Sequence, residues 1–559
     1  MRRLLCLLLC VCFLTGCSGS TAGTTEPLSA DQLAPQSSVK DPDISREIPF
    51  ESRFSEETLI TLSDDGVSCD SNAVFLSKDI IYYEDRDAYD SGYPYGEGSD
   101  IDKHTAEEAA AHTVVNITKP GTYRVTGTLS QGQIRVDLGE DAYEDPSAVV
   151  ELILDNANIT CSVAPAILFL NVYECDGSWS VETAKSDVDT TKAGANLILA
   201  ENSFNTVRGN YVAKIYKDKD GEKKLWKQDG AIYSYMSLNV FGPGRLDLYA
   251  DNEGLDTELH LTINGGQLNI YSDNDGINTN EDGVSVTTIQ AGTIHIIAGL
   301  GIEGDGIDSN GYLVINGGTV ISSANPIADA GLDSDLGSYI NGGVVLALGS
   351  TMDWAESESD QVTMNLQFAA SQEGDHAIVI RQEDGSIVFA YDADTDEVLG
   401  TRIRQYMGAI ISTPHLKQGS SYEVYLDGVI TGEDTGGLYT LSTITGYTGG
   451  EQMQYTGTDV GMGGHGFGGM GQKPFQDGEK PSWPDGEAPS WPDGEMPSMP
   501  EGEIPSRPEG EMPVRPEGGR TPPEDGGFPG FGGSQEQAGN IKFYMNDKVN
   551  AFSGVCPAT

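Results

Sequence analysis

Short runs of alternating apolar and polar residues recur through the middle of the chain: Leu246-Asp247-Leu248-Tyr249, Leu259-His260-Leu261-Thr262-Ile263, Leu268-Asn269-Ile270-Tyr271 and Ile294-His295-Ile296. A period of two is that of a half-buried strand. Between the runs the chain restarts at a small-residue turn: Gly242-Pro243-Gly244, Asn264-Gly265-Gly266, Ala291-Gly292, Asn316-Gly317-Gly318 and Asn341-Gly342-Gly343. A second marker lies between the turns: Gly254-Leu255-Asp256, Gly276-Ile277-Asn278, Gly306-Ile307-Asp308 and Gly331-Leu332-Asp333. Counted from Gly244 through Gly266, Gly292, Gly318 and Gly343, the steps are 22, 26, 26 and 25 residues, the range of stacked units. Each unit is too short for a ten-residue helix beside its strands. The leucine-rich consensus is absent, and a propeller blade needs about 40 residues. The pattern therefore predicts an all-β solenoid, a parallel β-helix, with inward Leu, Ile and Val forming a continuous core and Gly and Asn turning the corners.

Outside the repeat the pattern loosens. Thr58–Leu62, Thr122–Leu129, Val149–Leu154 and Ala166–Leu170 read as earlier, less regular coils. Residues 351–446 stay strand-like without the turn markers, as a β-rich capping element. Residues 447–540 form a Gly/Pro-rich tract with an octad (PSWPDGEA, PSWPDGEM and variants) in which Pro481, Pro489, Pro497, Pro505 and Pro513 keep phase. That composition predicts a disordered, solvated segment, with Trp483 and Trp491 as adhesive points if it meets a partner. Residues 541–559 carry a last strand around Ile541–Met545.

At the start, Arg2 and Arg3 precede the apolar run Leu4–Leu14, followed by Thr15-Gly16-Cys17-Ser18. The run is too short to span a bilayer and reads as a secretory signal. The Leu-Thr-Gly-Cys ending resembles a lipobox, which implies a signal peptide over 1–16, a lipidated Cys17, a flexible linker over 17–55 and a folded part on the extracellular face of a bacterial membrane.

Charge sharpens the picture. The 559 residues carry 32 Lys+Arg against 86 Asp+Glu, a formal net charge of −54. So negative a chain repels nucleic-acid phosphates and anionic headgroups, so the expected partners exclude nucleic acid and touch the membrane only through the anchor. Between residues 251 and 335 there are fourteen carboxylates and no Lys or Arg. Many sit at the repeated Gly-Ile/Leu-Asp corner, so stacking would superimpose them, and like charges that close oppose each other's ionisation unless a cation intervenes. A hard ion with six to eight oxygen ligands fits, which makes Ca²⁺ the expected cofactor at Asp256, Asp275, Asn278, Asp305, Asp308, Asp333 and Asp335. Alignment of the coils also sets Tyr249 over Tyr271, with Asp247, Asn269 and His295 as an outward polar ladder, a surface suited to sugar rings and hydroxyls. No catalytic residues stand out. Arg245 is the only Lys or Arg between Asp229 and Ser350, so Lys224 or Lys227 would have to reach in from a loop to act as a base.

Three segments, Ile117–Gly127, Asp229–Ser234 and Gly304–Gly311, resemble a bacterial cell-surface carbohydrate-binding family over roughly residues 56 to 446. The resemblance implies a calcium-containing, right-handed parallel β-helix related to polysaccharide lyases, one that binds cellulose or acidic plant polysaccharides without established catalysis. The solenoid domain is expected over 56–350. The octad tract and the insert around Lys217–Lys227 depart from the family pattern. The expectation is a monomeric, lipid-anchored, calcium-dependent polysaccharide-binding protein. A calcium-dependent polysaccharide lyase and a non-catalytic cell-surface adhesin are the alternatives.

Overall fold

The computed structural model describes residues 40–558 except 43–46, 84–100, 178–179, 217–224, 351–352, 375, 394–404 and 459–538. Cys17 and the octad tract lie outside the described residues. Among the described residues the protein is nearly all β; the one α-helix, Ala106–Ala111, is six residues long and is held by a capping box between Thr105 and Glu108. Among the described residues no helix is long and apolar enough to cross a membrane.

The strands stack mainly in parallel, and the repeat feeds three separate ladders. On one, Leu246, Leu268, Ile294, Val320 and Val345 stand in register, as do Leu248, Ile270 and Ile296. On the second, Leu197, Val240, Ile263, Ile289, Ile315 and Ile340 align. On the third, Ile134, Ile167, Ile232, Leu255, Ile277 and Ile307 align, and a bridge adds Leu332. All of these side chains are buried, and they belong to a single apolar cluster. Period-two alternation gives each ladder one buried column, and parallel register lays each column on the one before it.

The turns explain the glycines. Gly292, Gly318 and Gly343 have φ of +98°, +78° and +87°. A Cβ on Gly318 would stand 2.6 Å from the Gly292 carbonyl oxygen, and one on Gly343 would stand 2.6 Å from that of Gly318. Positive φ and stacked backbone thus demand glycine together. Gly318→Ala should cost at least about 1–2 kcal/mol, read as a lowered midpoint in urea unfolding, because left-handed backbone alone costs that much in an L-residue.

After Val344–Gly349 the parallel order stops. Tyr406–Ser412 pairs antiparallel with that strand and with Thr363–Gln372. A second sheet of Ile378–Gln382, Ile387–Tyr391 and Ser421–Leu426 packs on them around Phe368, Phe389, Tyr406, Phe543 and Phe552. The C-terminal strand Val549–Pro557 completes this module by pairing in parallel with Thr363–Gln372. The last strands thus belong inside the capping element. Tyr455 and Asn540 exchange both backbone hydrogen bonds, at 3.0 and 2.9 Å, so the chain leaves and re-enters the module at one point.

Candidate functional site

The third ladder carries the acidic corner. Strands Glu253–Thr257, Ile277–Thr279 and Ile307–Ser309 pair so that Asp256, Asn278 and Asp308 stand in one column, and Asp333 follows Leu332 one coil on. Glycine permits this closeness: a Cβ on Gly306 would fall 1.8 Å from Ser322 Oγ and 2.4 Å from the Gly331 carbonyl.

The acidic side chains link from coil to coil. Asn280 Nδ2 donates to Asp256 Oδ1 at 2.6 Å, and Asn278 Nδ2 approaches Asp275 Oδ2 at 3.5 Å. The Asp305 backbone N–H donates to Asp275 Oδ1 at 2.7 Å, and the Ala330 N–H donates to Asp305 Oδ1 at 2.5 Å. Asp333 Oδ1 accepts from the Ser334 N–H and faces the same group. Asp335 is exposed at the edge.

Two carboxylates absent from the expected ligand set join the column. Oxygen atoms of Asp229, Glu253 and Asp256 lie within 4.8 Å of one another. Glu253 Oε2, Asp256 Oδ2 and Asn278 Oδ1 are buried with no hydrogen-bond partner. Leaving such atoms unsatisfied is costly, and leaving charged ones so is costlier still. Burial pushes the Asp256 carboxyl far above the usual carboxylate range, with Glu253 adding to it. Asp275 and Asp305 are raised strongly for the same first reason, helped by Glu253 and Asp333 respectively, and Asp308 rises to about 7. A cluster of unpartnered oxygen donors, each opposing its neighbours' ionisation, is a donor set that fits a hard divalent cation.

Lys227 also reaches in. Its Nζ lies 2.8 Å from Asp229 Oδ2 and donates to Asn280 Oδ1 at 3.0 Å. Burial alone would lower its pKa, but Glu253, Asp256, Glu258 and Asp275 outweigh burial and hold it above the ordinary lysine value. Lys224 lies outside the described residues. Sequence reading passed over Asp229 and Glu253, although Asp229-Gly230-Ala231-Ile232 and Glu253-Gly254-Leu255-Asp256 are copies of the same corner.

The aromatic face differs from expectation. Tyr249 and Tyr271 do align, as do Asp247, Asn269 and His295. Yet the two rings stack on each other, with centroids 5.1 Å apart and planes at 17°, and the Arg208 guanidinium sits 3.7 Å from the Tyr249 centroid. Ring faces are what a sugar packs against, and here neighbours along the column take them. Tyr271 is only 8 % exposed. Asp247 is held by Arg245 at 2.8 Å and accepts from Asn269 Nδ2 at 2.7 Å, and Gly436 of the capping module lies beside His295. The column is packed along its own length, with the Tyr249 ring between Tyr271 and Arg208, while Asp247, Tyr249, Asn269 and His295 stay partly exposed.

With chelator present the raised carboxyls set a pH dependence. A carboxyl whose folded pKa is raised binds its proton more tightly in the native state, so its contribution is complete below the unfolded value near 4 and is lost as pH climbs. The metal-free protein should therefore melt at lower temperature at pH 7.5 than at pH 5, with the share owed to Asp308 lost by its value of about 7.

Comparison with known proteins agrees with this setting. A curated protein of Acetivibrio thermocellus, described as a carbohydrate-binding domain-containing protein, is 31% identical over 172 residues, covering 30% of this chain and 49% of its own length. The match thus spans about half of that relative. No solved structure matches. The family model described as carbohydrate-binding domain-containing protein matches residues 111–398, which takes in all three ladders and the acidic column, and the chain belongs to that family.

Proposed function

We propose that this protein is a lipid-anchored, extracellular, monomeric polysaccharide-binding protein that depends on calcium, its three ladders being the faces of a right-handed parallel β-helix. The observation that carries the reading is the set of buried, unpartnered oxygens on Glu253, Asp256 and Asn278, closed in by Asp229 and Asp275. Calcium held there supplies positive charge that an acidic glycan's carboxylates can share, which reconciles a net charge of −54 with such a ligand. The residues do the rest. The stacked corner fixes the oxygens in advance, Asn280 and the Asp305 and Ala330 amides each hold one carboxylate oxygen in place, and Lys227 neutralises Asp229. Cys17 supplies the anchor. Incorporation of labelled palmitate that disappears in Cys17→Ala checks that part.

Retention of the protein on immobilised polygalacturonate should require calcium and vanish with chelator. Retention unaffected by chelator, together with calorimetry showing no calcium uptake, would overturn the reading. Lys227 gives the lyase alternative its one specific support, since it is a base within the acidic column. A proton-abstracting lysine needs a lowered pKa, however, and that of Lys227 is raised, as befits an ion-pairing group. Incubation with polygalacturonate should yield no unsaturated, ultraviolet-absorbing product.

A further inference from the structure

The second ladder carries an open groove away from the acidic column. Its outward residues Asn196, Asn239, Thr262, Thr288, Val314 and Tyr339 form one column. A strap around Thr190 crosses the start of that column: the Thr190 hydroxyl bonds to Asn239 Oδ1 at 2.8 Å and to Thr262 Oγ1 at 2.7 Å, and Asn239 Nδ2 donates to the Thr190 carbonyl at 2.8 Å. Arg53 holds the strap from the other side through the Thr191 carbonyl at 2.6 Å. Beyond the strap the face opens into a groove of about 450 Å³. Its floor is Thr288, Val314 and Tyr339. Asp187 and Asp189 stand at the strap end and Glu358 and Asp360 at the other.

A ladder of amides runs along the groove. Asn316 Nδ2 donates to Gln290 Oε1 at 3.3 Å, Asn341 Nδ2 donates to Asn316 Oδ1 at 2.9 Å, and the Asp360 N–H donates to Asn341 Oδ1 at 3.1 Å. The chain of bonds points every amide the same way. Each still has hydrogen-bonding capacity to spare, repeated at the strand spacing of about 4.8 Å. Tyr339 is half-buried and tilts against Tyr312 at 6.1 Å, leaving an amphipathic ring at the floor. Asp189 is fixed through one oxygen by the Thr191 N–H and hydroxyl, at 3.0 and 2.6 Å, which leaves the other for a ligand.

We infer that this groove binds a stretch of neutral, polyhydroxylated glycan without calcium, as a second site on the same protein. The inference rests on the carbohydrate-binding reading above and assigns it a different surface and a different ligand charge. Hydroxyls donate to the rim carboxylates and exchange hydrogen bonds with the amides, while an apolar sugar face lies on Tyr339. The lining residues hold four carboxylates and no Lys or Arg; of the cations around the rim, Lys548 pairs with Asp360 at 3.0 Å and Lys192 acts on Asp189. A polyuronate would meet that rim as like charge, which selects against it.

Affinity electrophoresis of the full chain through gels containing hydroxyethylcellulose or polygalacturonate, with and without chelator, tests this. Wild type should be retarded by hydroxyethylcellulose whether or not chelator is present. Tyr339→Ala and Gln290→Ala should each weaken that retardation about tenfold in dissociation constant, the equivalent of about 1.4 kcal/mol, and leave calcium-dependent retardation by polygalacturonate unchanged. Asn316→Lys, at an exposed position, serves as the control should Tyr339→Ala fail to fold. No retardation by the neutral polymer, or retardation that none of the three variants alters, overturns the groove assignment and leaves the calcium-site reading standing. Loss of polygalacturonate binding in wild type, with groove binding intact, overturns the calcium reading alone.

Discussion

Calcium at one hundred times its dissociation constant should stabilise the folded chain by about 2.7 kcal/mol, and Asp256→Asn should remove most of that gain. The first half follows from mass action, since the ligands meet only in the folded stack and the unfolded chain has no equivalent site. The second follows from position. Asp256 is fully buried, one of its oxygens is held by Asn280 and the other has no partner. Asparagine preserves shape and the Asn280 contact but removes the charge. Without calcium the same substitution should stabilise, because it deletes a carboxyl that burial and Glu253 already hold against ionisation. Thermal melts of both proteins, with calcium and with chelator, give four numbers, and the sign of the difference must reverse between the two conditions. A variant that loses stability equally in both would show that Asp256 serves packing alone.

The second large effect is expected far from that column. Phe552→Ala should destabilise the capping module by about 3–5 kcal/mol, the usual cost of emptying a buried aromatic site. Its ring lies 4.7 Å from Tyr455 and 5.0 Å from Phe543, centroid to centroid, in a fully enclosed cluster. Because Val549–Pro557 pairs with Thr363–Gln372, the loss falls on the sheet that closes the end of the parallel stack. Deleting residues 461–533, by contrast, should leave the melting temperature unchanged, since that span joins two points already hydrogen-bonded at Tyr455 and Asn540.

What could be read in advance follows from periodicity. The Gly-Ile/Leu-Asp corner and the Asn-Gly-Gly turn recur at nearly constant spacing, and parallel stacking turns constant spacing into register, so Asp256, Asn278 and Asp308 had to share a column. The acid before the glycine was read as a ligand at Asp275 and Asp305 but not in the two preceding coils, where Asp229-Gly230 and Glu253-Gly254 hold the same position in a less regular version of the corner. The tyrosine column misled for another reason. Alternation tells which side a residue faces but not which neighbour covers its ring, and Arg208 arrives from a coil that lacks the regular turn marker. The groove was illegible altogether, since the strap that bounds it has no period and is placed by the bonds Thr190 makes to Asn239 and Thr262 on two coils and by Arg53 at the Thr191 carbonyl.

Because Tyr455 and Asn540 are joined by paired backbone hydrogen bonds, the folded module should hold together without an unbroken chain between them. A protease that nicks anywhere inside 459–538 would leave two polypeptides in one particle, the short one held by Val549–Pro557 and by Phe543 and Phe552. On a denaturing gel such a sample would run as two bands, yet in gel filtration it would elute as a single species of native size. The same junction could also carry new termini, so the protein can be permuted there or have a foreign domain inserted without disturbing either sheet.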